Sequence, residues 1–338
     1  MKRIVLILAG IMMLAGCRSK GIPDVSGIKV SLQVERFEQD FFAIDTNHIP
    51  ASLQQLGIKY PGFLPDYLQG ILELPPGSDT SLQVQEVLRR FIADYHSVKV
   101  AADKAIPDIA PFKKQAEHGL QFVKYYFPAY KLPGKLITFI GPMEGYSDIL
   151  TKDALAVGLQ LHLGKDNALY TSTTGQEFFP LYISRRFTPD YIVVNCMKNI
   201  VNDIAPGKYV SKPLVEQMVE EGKRLYVLDQ LLPETADTLK IGYTARELQW
   251  CYNYEGKIWN FFLTNNLLMS TEPGLMKDYL NEAPHTLAFG DDSPGFVGLF
   301  VGRQIVKKYL EKHPDVSPAE LLKTDGMKIF EESKYKPK

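Results

Sequence analysis

Six histidines stand at positions 48, 96, 118, 162, 285 and 313, and no two of them are four residues apart. The HExxH arrangement, which puts two imidazoles on one helix face around Zn²⁺ with a glutamate as base, is therefore absent. So are the GxSxG turn of a serine nucleophile, the phosphate-cradling P-loop and the GxGxxG turn of a dinucleotide site. Cys17, Cys196 and Cys251 make no zinc-type framework, and none has the neighbours that activate a thiol. One carboxylate draws notice instead. On a helix predicted over Lys212–Leu232, with Leu214 at zero, Met218, Leu225 and Glu221 fall at about 40°, 20° and −20°, while Glu220 lies on the flank at about −120°. A carboxylate in the middle of an apolar face is costly unless paired within the fold or bound to a cation. Glu221 is thus either the partner of an Arg, a Tyr or a backbone amide, or the relic of a metal site.

The elements that must hold these residues follow from periodicity. Ile28–Val34 alternates like a half-buried strand, and a short helix is expected over Phe37–Ile44. Pro61 and Pro65 break residues 49–74 into short helical pieces. Amphipathic helices are predicted over Ser81–Ala102 and Ile109–Tyr126, strands over Lys135–Ile140 and Ala154–Leu163. Further helices are expected over Tyr191–Ile204, Lys212–Leu232, Tyr243–Leu268, Pro273–Leu280 and Phe296–Glu311. With no repeat and no second linker, the pattern predicts one α+β domain, predominantly helical, with a small β-sheet. Gly295, Gly298 and Gly302 are spaced for close helix packing. The aromatic residues between Trp250 and Phe262 read as core or, in an exposed subset, as a partner surface, and Asp291-Asp292-Ser293 as a solvated turn rather than a cation loop.

The chain has 338 residues, 38 Lys+Arg against 39 Asp+Glu, and 45% hydrophobic content. Such a balance disfavours nucleic-acid binding through phosphates and electrostatic recruitment to a membrane, and eighteen Phe with eighteen Tyr argue against disorder. Met1-Lys2-Arg3 followed by an apolar run to Leu14 reads as a secretory signal, too short to span a bilayer. Leu14-Ala15-Gly16-Cys17 resembles the lipobox of bacterial lipoproteins, which implies cleavage after residue 16 and acylation of Cys17. Removing sixteen residues, two of them basic, leaves 322 residues with a formal charge of −3. Residues 17–27, with RSKGIPDVSG over 18–27, form a lipidated tether, and 28–338 the folded domain. The anchor would hold the domain at the cell membrane or outer membrane; the absence of an acidic run after Cys17 favours the periplasmic face. Cys196 and Cys251 read as buried thiols rather than a disulfide.

Several stretches together carry a resemblance to the gliding motility lipoprotein family GldB: the lipobox, RFEQDFFAID, KYPGFLPDYL, GKLITFIG, ALAVGLQLHLG, YIVVNCMKNIVNDI, EEGKRLYVLDQLLP and PGFVGLFVGRQIVKKYL. The resemblance covers nearly the whole mature chain. It implies a membrane-anchored part of the gliding and protein-secretion machinery of the envelope. The family is also distantly similar to zinc peptidases of the gluzincin type, whose HExxH helix is followed some twenty residues later by a Glu-Gly pair. Glu221-Gly222 takes the place of that third ligand. On the preceding helix one register puts Asn195, Cys196 and Asn199 at the H, E and H positions, and another Met197, Lys198 and Val201. Neither supplies an imidazole or a base, so the resemblance implies a degenerate zincin-like scaffold with no metal, no cofactor and no zinc hydrolysis. The expected role is a non-catalytic binding or assembly protein, its partners other gliding and secretion proteins or an extended peptide beside the second strand. An active hydrolase with an unrecognised site and a periplasmic carrier of a small or lipidic ligand are the two other readings.

Overall fold

Alternation along two short apolar strands decides how the molecule is layered. In the computed structural model, which describes residues 21–77, 81–207 and 211–337, the strands are β1 Gln33–Arg36, β2 Lys135–Phe139, β3 Asp148–Leu150 and β4 Ala154–Gly158. The signal segment 1–16, Cys17 and the start of the tether lie outside the described residues. The sheet order is β1-β2-β4-β3, parallel except for β3, which pairs antiparallel with β4 at one edge. Leu136, Leu155 and Val157 point to one side and Ile137, Phe139, Ala154 and Ala156 to the other, so both faces are covered, as parallel strands require. The two alanines leave room on their side for a cluster of rings, Phe37, Phe41, Tyr60, Phe63 and Tyr67.

Helices of eight residues or more are numbered α1 Ile49–Lys59, α2 Leu82–Asp94, α3 His96–Ala105, α4 Ala110–Tyr126, α5 Ile192–Ile204, α6 Leu214–Leu231, α7 Ala245–Thr264, α8 Pro273–Leu280, α9 Val297–Lys312 and α10 Gly326–Ser333. Local chemistry sets several starts: Ser81 and Asp325 accept the amides of Val84 and Lys328, and Thr244 with Glu247 forms a capping box. The expected α+β class, mostly helical with a small sheet, is the class observed.

Three expectations are corrected. Residues 28–32 are not strand. They lie along α4, where Gln121 donates to the Ile28 carbonyl at 2.8 Å and the Leu32 amide donates to Glu117 at 2.8 Å, side chains taking the place of a strand partner. The helix expected over Ser81–Ala102 is two, divided at Tyr95, whose ring stacks on Phe91 and whose hydroxyl accepts the Met143 amide. The second strand stops at Gly158. The buried Gln160 then accepts the Gly141 amide at 3.0 Å and donates to the Tyr146 carbonyl at 2.9 Å, which turns the chain into a 3-10 segment over Leu159–Leu161. The side of that strand expected to take a peptide is already filled by β3.

Beyond the sheet, α7 to α10 build a second core with one side of α6. Leu214, Val215, Met218 and Val219 belong to this core, Val227, Leu228 and Leu231 to the sheet core, and no residue of α6 is exposed. Its contact with α9 is set by two glycines. A Cβ on Gly302 would fall 1.7 Å from the Met218 carbonyl oxygen, and one on Gly222 2.2 Å from the Gly302 backbone. Arg303, 2% exposed, donates to Asp229 at 2.7 and 3.0 Å and to Asp237 at 2.7 Å, and Lys240 meets the same two carboxylates at 2.9 and 3.1 Å. Gly298 and Gly302 pack closely as their spacing predicts, whereas Gly295, ahead of α9, meets the loop backbone at Ala283. Of the α7 aromatics Trp259 and Phe262 are core, while Tyr252 and Tyr254 are exposed. Cys196 and Cys251 are free thiols in separate cores.

Gly302→Ala is expected to destabilise the fold by about 3 kcal/mol, the upper range for overpacking, because helix backbone rather than a flexible side chain must move. Gly274→Ala, at a position with open space around it, should be neutral or slightly stabilising. Urea denaturation of the two variants provides the comparison, and equal midpoints would contradict the close approach.

Candidate functional site

Helix α5 carries the residues singled out by sequence, and its two faces differ. Ile192, Val193, Val194, Cys196, Met197, Ile200 and Val201 are buried in the sheet core. Met197 sits directly on α4: a Cβ on Gly119 would lie 2.8 Å from its sulfur. Met197 and Val201 therefore do not floor a cleft. Burial pushes the Cys196 thiol well above its ordinary range, and the nearby Asp148 charge adds to the effect, so the group stays protonated.

Asn195 and Asn199, one turn apart, face the edge strand. Asn195 Nδ2 donates to Asp148 Oδ2 at 2.7 Å, and Asn199 Nδ2 donates to the Asp148 carbonyl at 2.9 Å. His162 completes the group, with Nε2 2.9 Å from Asp148 Oδ2 and Nδ1 3.1 Å from the Thr188 carbonyl. The side chains of Asp148 and His162 are each 1% exposed. A carboxylate and a carbonyl oxygen both accept, so a doubly protonated ring satisfies both contacts. Burial opposes the charge, but Asp148 and the two hydrogen bonds outweigh it and raise the His162 pKa above its ordinary value.

Lys198 points elsewhere. It is half-buried, and its amine is held down to a pKa of about 8, first by desolvation and then by the charge of Arg186, against the attraction of Glu282 and Glu221. Glu221 is not in the middle of an apolar face. Its side chain is 27% exposed and pairs with Arg224 at 3.9 Å. The helical-wheel expectation failed because α6 is apolar on two sides, and the single stripe drawn from Leu214, Met218 and Leu225 describes only one of them. The structure thus separates the candidates: Asn195 and Asn199 on β3, Cys196, Met197 and Val201 in the core, and Lys198 within electrostatic range of Glu221. Among the described residues, no group of three or more His, Cys, Asp or Glu is placed to hold a metal ion.

The family model described as gliding motility protein GldB, a lipoprotein family, matches residues 18–337. The chain belongs to the GldB family. Its match begins one residue after Cys17 and runs through both cores. Neither a curated protein nor a solved structure matches the chain. GldB membership ties the chain to gliding motility and to a membrane-anchored place in the envelope. Among the described residues no helix is long and apolar enough to cross a membrane.

Sequence reasoning did not pair Asp148 with His162, fourteen residues apart on either side of a turn. The available signal was a histidine closing an otherwise apolar run, ALAVGLQLHLG, which needs a buried polar partner. The Asp291-Asp292-Ser293 turn is solvated as expected: Asp291 is 96% exposed, Asp292 pairs with exposed Arg246, and the Ser293 hydroxyl closes the loop onto the Gly290 carbonyl at 2.6 Å.

Because the folded pKa of His162 lies above the unfolded value near 6.5, its charged pair contributes fully below about pH 6.5 and fades as pH rises through the folded value. Asp148→Asn should flatten that dependence and cost about 3 kcal/mol. Urea denaturation between pH 5 and 9, with an NMR titration of the ring, measures both; a His162 that titrates below 6.5 would show it to be neutral.

Proposed function

We propose that this GldB-family chain is a lipid-anchored envelope protein that binds or assembles other components for gliding motility and the associated secretion machinery, without catalysis, on a degenerate peptidase-like scaffold. The observation that carries the reading is the fate of Asn195 and Asn199. In one of the two registers that the resemblance leaves open, these amides take the places of a zincin helix's imidazoles, and both are spent on Asp148 of the edge strand. Neutral amides are poor Zn²⁺ ligands, and these would have to break buried hydrogen bonds to turn.

Lys198 supports the same reading. In the other register it takes the place of the general base, yet with a pKa of about 8 it is mostly an ammonium near neutral pH. An ammonium cannot accept a proton from a metal-bound water and repels a divalent cation. The scaffold itself is suggested by order: a mostly parallel sheet with an antiparallel edge strand, α5 packed against that strand, and α6 bringing Glu221-Gly222 after it. The periplasmic face remains the preferred side.

Metal analysis of the purified domain combined with a broad peptidase screen tests the non-catalytic reading. Substoichiometric zinc and no chelator-sensitive cleavage are expected, whereas one bound zinc per chain with such cleavage overturns it. Separately, Cys17→Ala should move the protein from the membrane to the soluble fraction with its thermal unfolding unchanged. Retention on membranes would identify another anchor.

A further inference from the structure

The face turned to the membrane can be read from where the chain becomes fixed. Val25, inside the segment expected as tether, is 2% exposed and packs in the sheet core. Eight peptide steps separate it from Cys17, a span of at most about 29 Å. A body of this length has a radius of gyration of about 20 Å and is about 50 Å across. The anchor therefore cannot reach around the body, and the side bearing Val25 faces the bilayer.

That side is defined by α4. The Leu32 amide bonds to Glu117 and the Ile28 carbonyl to Gln121, so the arm read backwards climbs α4 toward its carboxyl end. Before that the chain turns at Val25–Ile28, where the Ile28 amide donates to the Val25 carbonyl at 2.9 Å, and Tyr125 lies one helical turn beyond Gln121 on the same stripe of α4. The chemistry there suits a headgroup layer. Tyr125 is 50% and Ile22 63% exposed, amphipathic and apolar groups beside the anchor, and Lys124, Lys131 and Lys152 are exposed. Lys131 and Lys152 line a depression of about 360 Å³ with Tyr130 and Thr151. Carboxylates share the face: Asp203 lines the same depression and accepts the Tyr130 hydroxyl at 2.7 Å, Asp153 follows Lys152 in the chain, and Asp24 accepts the Ser26 amide at 2.9 Å. The lysines stand out on a mature chain whose formal charge is negative.

We propose that the body docks on the bilayer surface through this face, with Tyr125 at the headgroups and Lys124, Lys131 and Lys152 against lipid phosphates. The proposal rests on the lipid-anchor reading of Cys17. Acyl chains hold the molecule at the membrane, and the face fixes its orientation there.

The test uses the full lipidated chain on vesicles of phosphatidylglycerol and phosphatidylethanolamine that carry nitroxide-labelled lipid. A fluorophore is placed at Tyr125→Cys or, on the second core, at Leu287→Cys. The buried thiols of Cys196 and Cys251 and the acylated Cys17 do not compete for label. Quenching at position 125 should exceed that at 287 by at least about twofold for a surface held in the interface. The double variant Lys131→Glu/Lys152→Glu should reduce quenching at 125 toward the level at 287 while the protein still floats with the vesicles. Equal quenching at the two positions on bound protein, or no response to the double variant, overturns the docking face and leaves the anchor standing. Failure of the parent chain to float with vesicles overturns the anchor, and the docking face with it.

Discussion

A helix with no exposed residue must satisfy neighbours on every side, and α6 is such a helix. Its amino-terminal half belongs to the helical core and its carboxyl-terminal apolar residues to the sheet core, so the two cores are packed against one element. The approach of α9 is close enough that backbone meets backbone at Gly222 and Gly302. Dispersion attractions at that distance are many and individually small, and a side chain in between forfeits them together. The ion network of Arg303, Lys240, Asp229 and Asp237 lies alongside. Asp237 reaches solvent, but the other three are enclosed, and buried charges add little net stability over apolar residues while penalising any arrangement that leaves one of them unpaired. Glycines fix the distance between α6 and α9, and charges fix the orientation.

Helix α5 answers to a different constraint, the need to satisfy a buried carboxylate. Asp148 begins a three-residue strand at the sheet edge, where it receives Asn195, Asn199 and the His162 ring. The result is a closed polar knot that ties helix to sheet. Hydrogen bonds in such a place are short of competing water, so each group lost exposes the others to the cost of being buried without a partner. A site arranged for substrate leaves its groups reachable; here both charged members are enclosed.

Much of this was legible from periodicity. The long helices from residue 191 onward and the two central strands follow from spacing, and the glycine triad identified α9 as a packing element. What escaped is equally physical. Strand β3 is three residues long with one charged member, below the length at which alternation says anything, and it became visible only through its pairing with β4. The arm over residues 28–32 reads as strand because it is apolar on alternate positions, yet its hydrogen bonds go to side chains of α4. Glu221 was misplaced because a wheel assumes one apolar stripe, and α6 has two neighbours. The Asp148–His162 pair is a contact between residues close in sequence but separated by a turn, which no helical or strand period reports.

The meeting of α6 with α9 has a consequence for the order in which the chain can become compact. Gly222 and Gly302 are eighty residues apart in sequence. A chain emerging amino-terminus first can complete its sheet layer early, but Leu214, Met218 and the bare backbone at Gly222 have nothing to cover them until the last quarter has followed. During that interval α6 presents an apolar groove to the surroundings, and loop closure over so long a span is slow compared with local helix formation. The same contact that makes the finished protein one unit therefore exposes its central helix until late in its own assembly.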